Sequence, residues 1–292
     1  MSDQEQSARN QPGGEDIPLI RRIVVALDGA TQSTALLEAA AQLAARLGVE
    51  LVGLFVEDVN LLRLAELPFT QEVGSFSTLR RTLPSVQLER QLRAQANRLR
   101  RMVRVAAERH QVDWSFAVMR GPIATELRRA AMDSDLVILG RSQRMRRGRL
   151  PLGSTTRAVI IQAPGMTLVL HRTPVWQQPL IVVYDGSDAA QRALALATQL
   201  TQADNMPLLV VLVSDEQDDA RALRHAVASW LHQRGQLARY RWLARAQMGR
   251  LLNLVFAEQG GALLLPTGDL STRDAALLTL LDDLQCPVLL VR

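Results

Sequence analysis

The chain has 292 residues, 48% of them hydrophobic and 22% charged, which is enough for two globular domains with sizeable cores. No apolar run approaches the length of a membrane span, and the polar N-terminus lacks the charged-then-apolar pattern of a signal peptide. The single cysteine, Cys286, excludes an internal disulfide framework and fits a reducing cytoplasm; a small buried residue is its ordinary reading. The net charge is +5, and because lysine is absent all 34 basic residues are arginine. That excess is too modest to read as a nucleic-acid surface, while the guanidinium fork suits phosphate oxygens.

Residues 1–18 are polar and without apolar periodicity, and they read as a disordered tail. The apolar run 23–27 predicts a strand that stops at Asp28-Gly29. Residues 31–47 carry helical spacing, with Leu36, Leu37, Ala40, Leu43, Ala44 and Leu47 on one face, and Gly48 ends the helix. Residues 49–56 form a second apolar strand.

A long excursion, 57–85, separates that strand from the next helix. Such excursions usually serve as lids, binding loops or interface elements. Leu61, Leu62, Leu64, Leu67 and Phe69 need burial, either on their own domain or against a partner. Residues 86–108 predict a long helix studded with arginines. Glutamates and glutamines intersperse them and no aromatic residues accompany them, so a solvated outer face is favoured over nucleic-acid contact. Strands follow at 114–119, 136–139 and 166–171, with helices from Gly121-Pro122 to Met132 and over 156–162. Five strands alternating with four helices predict a parallel sheet covered on both faces.

The most informative stretch is 135–156. A fully apolar strand ends at Gly140, a loop with five arginines follows, and Gly153-Ser154 opens a helix. Glycine permits close backbone approach, Ser154 and Thr155 suit a helix start, and free N–H groups there attract anions. These are the parts of a phosphate cradle, although the same residues also make ordinary strand-to-helix turns.

The pattern then restarts. Residues 180–187 match 22–29 in kind, with Asp185-Gly186 answering Asp28-Gly29. Helices at 189–200, 221–235 and 249–258 alternate with strands at 208–213, 239–246, 262–265 and 287–291. A fold-length repeat implies duplication. We divide the chain into a first domain, 19–173, a linker, 174–179, and a second domain, 180–292. The second copy reads Pro266-Thr267-Gly268-Asp269 where the cradle should be, without the arginines or the closing Gly-Ser, so it is read as degenerate.

From about residue 21 to 292 the chain resembles a tandem universal stress protein. The resemblance rests on Asp28-Gly29, Asp185-Gly186-Ser187, Arg120-Gly121-Pro122, the strand 135–140, and the spacing from Gly140 to Gly153-Ser154. Nucleotide-binding members carry a second glycine where this chain has Gln143. The resemblance implies two Rossmann-like α/β domains, each a five-stranded parallel sheet with helices on both faces. It implies ATP, with or without Mg²⁺, as the ligand of the first domain. Asp28, Gly29 and the backbone at Val56 would face adenine and ribose. Gly121, at the turn after the third strand, would also contact the nucleotide. Gly140, Arg141, Gly153, Ser154 and Thr155 would hold phosphates.

The resemblance further implies that the two domains pair through their final strands, Leu168–His171 with Leu289–Arg292. The corresponding function is a cytoplasmic, bacterial stress-response regulator with no dedicated catalytic machinery. The alternative left open is a nucleotide-independent interaction module acting through 57–85, with a protein partner or self-association. Slow ATP hydrolysis and nucleic-acid binding through Arg141–Arg149 are weaker readings.

Overall fold

The computed structural model describes residues 20–28, 33–65, 71–73, 80–82, 85–141, 152–170, 179–204, 206–268 and 275–292. The tail 1–18 and most of the linker 174–179 lie outside them, as do Gln143 and Asp269. In chain order the first half contains β1 (Arg22–Leu27), α1 (Ser33–Leu47), β2 (Glu50–Asp58), α2 (Val59–Ala65), β3 (Gln71–Val73), β4 (Arg80–Thr82), α3 (Ser85–Arg109), β5 (Trp114–Gly121), α4 (Ile123–Met132), β6 (Leu136–Gly140), α5 (Ser154–Gln162) and β7 (Met166–Leu170). The second half contains β8 (Leu180–Tyr184), α6 (Asp188–Asp204), β9 (Leu208–Ser214), α7 (Gln217–His232), β10 (Ala238–Ala244), a 3-10 turn (Arg245–Arg250), α8 (Leu251–Ala257), β11 (Ala262–Pro266), α9 (Ala275–Asp283) and β12 (Val288–Val291).

Ten strands form one sheet in the order β10-β9-β8-β11-β12-β7-β6-β1-β2-β5. Within each half the order is third, second, first, fourth, fifth, and every pairing inside a half is parallel. The two five-stranded parallel sheets expected of the halves are joined into one sheet that runs through the chain, and the expected pairing of their final strands makes the joint. Its single antiparallel joint pairs Val169 with Val288, Leu168 with Leu289 and Thr167 with Leu290. Alone, β7 and β12 would each present an unpaired edge, and pairing them satisfies both rows of backbone groups. All residues of both strands are buried.

Strand alternation divides the core. On one face Ile23, Val25 and Leu27 join Leu37, Leu43 and Leu99, and this cluster continues through Leu168 and Leu289 into the second half. On the other face Val24 and Val137 pack with Leu127 and Val159. Leu152, Ile160 and Val169 pack there with Leu281 and Leu290 across the joint. Gly53 lets α3 approach β2, since a Cβ there would lie 2.5 Å from Val103 Cγ2. Gly48 ends α1 at a φ of +64°, with Val49 N–H donating to Ala44 C=O at 3.0 Å.

The arginines of α3 point outward as expected. Arg93 and Arg104 pair with Glu89 and Glu108, at 3.9 and 3.8 Å. The elements not anticipated are α2, the β3–β4 hairpin, the 3-10 turn and α9.

Two acids, the partly buried Cys286 and the buried Tyr184, shape the alkaline limit of stability. Burial pushes the Cys286 thiol from 9.0 up to about 11, against the opposing pull of a backbone hydrogen bond and Arg141. Burial, with Asp185 adding to it, pushes the Tyr184 hydroxyl from 10.0 to about 12. Tyr184 is fully buried and its hydroxyl has no hydrogen-bond partner among the described residues. Both groups stay neutral in the fold at pH values where the unfolded chain ionises. Their stabilisation is therefore complete below pH 9 and is lost as pH rises through 9–11 and 10–12, at about 2–3 kcal/mol each. The urea midpoint should fall between pH 8 and 11.5. Cys286→Ala and Tyr184→Phe should each flatten that fall, and equal slopes in all three proteins would contradict the assignment.

Candidate functional site

The strand order fixes where a ligand can sit. From β1 the chain moves outward to β2 and β5, then returns to the other side of β1 for β6 and β7. The helices flanking β1 and β6 therefore diverge, and a crevice opens beyond their carboxyl ends. A pocket of about 610 Å³ lies there. Its floor is the ends of β1, β2 and β6: Ala26 to Asp28, Val56 and Asp58, and Gly140 with Arg141. Ile123 and Leu127 of α4 contribute apolar surface, as do Leu36 of α1 and Leu92 of α3. The first turn of α5, from Gly153 to Thr156, also lines it.

That first turn has the features an anion requires. Gly153 is the N-cap, with φ −65° and ψ 157°, and brings no side-chain acceptor to the leading N–H groups. The first turn carries no acidic residue. The turn is anchored from both sides: Thr156 Oγ1 donates to Gly140 C=O at 3.2 Å, and Arg157 N–H to Gly153 C=O at 2.9 Å. The amide dipoles and the helix axis then favour negative charge at this point.

The polar groups opposite come from β1 and β2. Gln95 Nε2 donates to the Asp28 carbonyl at 2.9 Å, tying α3 to the end of β1. Asp58 Oδ1 accepts the Asn60 N–H at 2.9 Å and so caps α2, which sets Leu61 at the pocket wall. Leu61 is 50% exposed while its neighbour Leu62 is buried. The excursion 57–85 thus begins as part of the pocket wall; Leu67 and Phe69 lie outside the described residues.

Of the anticipated residues, Asp28, Val56, Gly140, Arg141, Gly153, Ser154 and Thr155 line this one pocket. Gly29 lies outside the described residues. Gly121 is not among the residues that line this pocket; a Cβ there would fall 2.4 Å from Glu126 Oε1, so its lack of a side chain serves packing of the β5–α4 turn. At Gly140 a Cβ would meet, among the described residues, Leu36 at 3.8 Å, an ordinary contact. Sequence reasoning missed Asp58, Gln95 and the apolar wall. Gln95 sits among arginines on a surface helix and carries no local signal.

Arg141 differs from its expected use. It is only 6% exposed, and its guanidinium donates to the carbonyls of Leu281, Asp282 and Leu284, the second two at 3.1 and 2.7 Å. Burial lowers its pKa, with Asp282 and Cys286 opposing; an arginine remains a cation there. The matching end of β11 carries Pro266 and Thr267, and Thr267 N–H bonds Val291 C=O within its own half at 2.7 Å. Asp185 turns inward as well, accepting the Ser187 N–H and hydroxyl at 3.1 and 2.6 Å.

These features define an open α/β protein with a ligand crevice at its strand switch point. The chain belongs to the universal stress protein family, whose model, "Universal stress protein family", matches residues 19–171. No curated protein sequence matches it. Among solved structures it is similar in fold to a universal stress protein from Archaeoglobus fulgidus DSM 4304. That similarity has a TM-score of 0.72 at 16% identity and covers 92% of this chain and 97% of the other. It is also similar to a putative universal stress protein from Pseudomonas aeruginosa UCBPP-PA14, with TM-score 0.60, 14% identity and coverage of 94% and 93%. A functionally unknown protein from Pseudomonas aeruginosa PAO1 has TM-score 0.62 at 14% identity, covering 94% and 92%. Among the described residues no helix is long and apolar enough to cross a membrane.

Proposed function

We propose that the chain is a tandem universal stress protein, with copies at 19–173 and 180–292, that binds ATP in the first copy and acts as a cytoplasmic regulator. The tandem reading is supported by the strand order recurring in both halves and by a structural neighbour of similar extent. The observation that carries the nucleotide reading is the uncapped start of α5 facing a crevice with a carboxylate, a strand end and apolar walls opposite. In this reading the Ser154 and Thr155 amides hold phosphate oxygens, Gly140 and Gly153 give them room, and Asp28 accepts from the ribose. The backbone at Val56 reads adenine between Ile123 and Leu127. Pro266 in place of Gly140 supports a second copy that takes no nucleotide.

Isothermal titration of the full chain with ATP, with and without Mg²⁺, tests the reading. Saturable binding at one site per chain is expected. Absence of heat at millimolar ATP would retire the nucleotide and leave an interaction module built on 57–85.

A further inference from the structure

The arginine that begins the loop and the residue that ends it are held by the same turn of the second half. Arg141 follows β6, and Leu152 precedes the N-cap of α5. Three carbonyls at the carboxyl end of α9 accept from Arg141. The Asp282 carboxylate accepts the Leu152 N–H at 2.8 Å and pairs with Arg157, whose Nε also reaches Leu152 C=O at 3.4 Å. Carbonyls at a helix carboxyl end lack intrahelical partners and carry the negative end of the dipole, so they suit a buried cation. A buried guanidinium in turn requires such partners.

The arrangement is one-sided. The residue matching Arg141 in the second half, Thr267, bonds within its own half. The reverse link, from Arg292 to the Ile160 carbonyl, meets α5 near its far end, away from the pocket. An interface whose only role was adhesion would need no such aim at the two flanks of the pocket's anion-binding turn.

We infer that Arg141 and Asp282 are positioning residues through which the second half sets the nucleotide affinity of the first. The inference rests on the nucleotide reading above. Fixing both flanks holds the α5 amides ready for phosphate, so the ordering cost is met before the ligand arrives. By reciprocity, a ligand on the first half tightens the joint between the halves.

The test is titration of the full chain and of Asp282→Ala with ATP and with adenosine, which lacks phosphate. Arg292→Gln serves as a control that breaks a different link between the halves, remote from the pocket. Asp282→Ala should weaken ATP about tenfold, a usual size for coupling between sites, with adenosine within about twofold. Arg292→Gln should leave ATP unchanged. Unchanged ATP affinity in a folded Asp282→Ala, equal losses for ATP and adenosine, or an equal loss in Arg292→Gln would each overturn the inference. If wild-type chain binds no ATP, the nucleotide reading falls and this inference with it. That outcome differs from binding that ignores Asp282. Should Asp282→Ala not fold, Asp282→Asn and Arg157→Gln are read by the same criteria.

Discussion

Gly153→Asp should abolish ATP binding without destabilising the chain. Gly153 sits at φ −65° and ψ 157°, extended backbone that any residue adopts, so the substitution brings no strain. Aspartate is also among the best N-cap residues, and its carboxylate would accept the leading N–H groups of α5. The same carboxylate would occupy the place of a phosphate oxygen and repel the rest. Like charges in close juxtaposition cost several kcal/mol, so affinity should fall by at least about a hundredfold. The melting temperature should hold or rise. Titration and thermal melting on one preparation separate the two effects. Retained ATP binding would remove α5 from the site, and a large drop in melting temperature would mean that Gly153 serves the fold.

The second large effect is expected at the joint between the halves. Leu290 and Val169 are each 1% exposed, packed with Ile160 and Leu281 where β12 meets β7. Leu290→Ala should cost about 2–5 kcal/mol as a cavity. Leu290→Asp should cost more, because its carboxylate would lose water among buried apolar side chains. Set against a typical stability of about 5–15 kcal/mol, that is enough to abolish a single cooperative melt. Circular dichroism and size-exclusion chromatography would show lost or split transitions and an expanded chain. A Leu290→Asp protein that melts like wild type would mean that the β7–β12 pairing does not hold the halves together.

The strands were legible because a sheet covered on both faces needs continuous apolar runs, and 136–139, 180–184 and 208–213 are such runs. The helices α1, α3 and α4 were legible from one-sided apolar spacing. Helix α9 was not, because Ala275–Asp283 has one polar residue, Thr279, before its two closing aspartates. With apolar residues all round there is no period to detect. The strands β3 and β4, three residues each, are too short for alternation to register.

The pocket was legible where glycine and a helix start adjoin a strand end, at Gly140 and Gly153. The contacts of Arg141 with the second half were hidden from the sequence for a physical reason. Beside a phosphate-like loop an arginine suits an anion, and nothing local reveals that helix carbonyls 140 residues onward will claim it. Asp282, which ties Leu152 and Arg157 together, is equally silent in the sequence, as is Gln95.

A nucleotide in the crevice at the β1–β6 switch point should be visible in a crystal structure of the full chain grown with Mg²⁺ and ATP. Adenine is expected beside Val56 and Ile123, ribose at Asp28, and phosphates on the amides of Ser154 and Thr155. Nucleotide at the strand ends of the second half, or an empty crevice at saturating ATP, would contradict that placement.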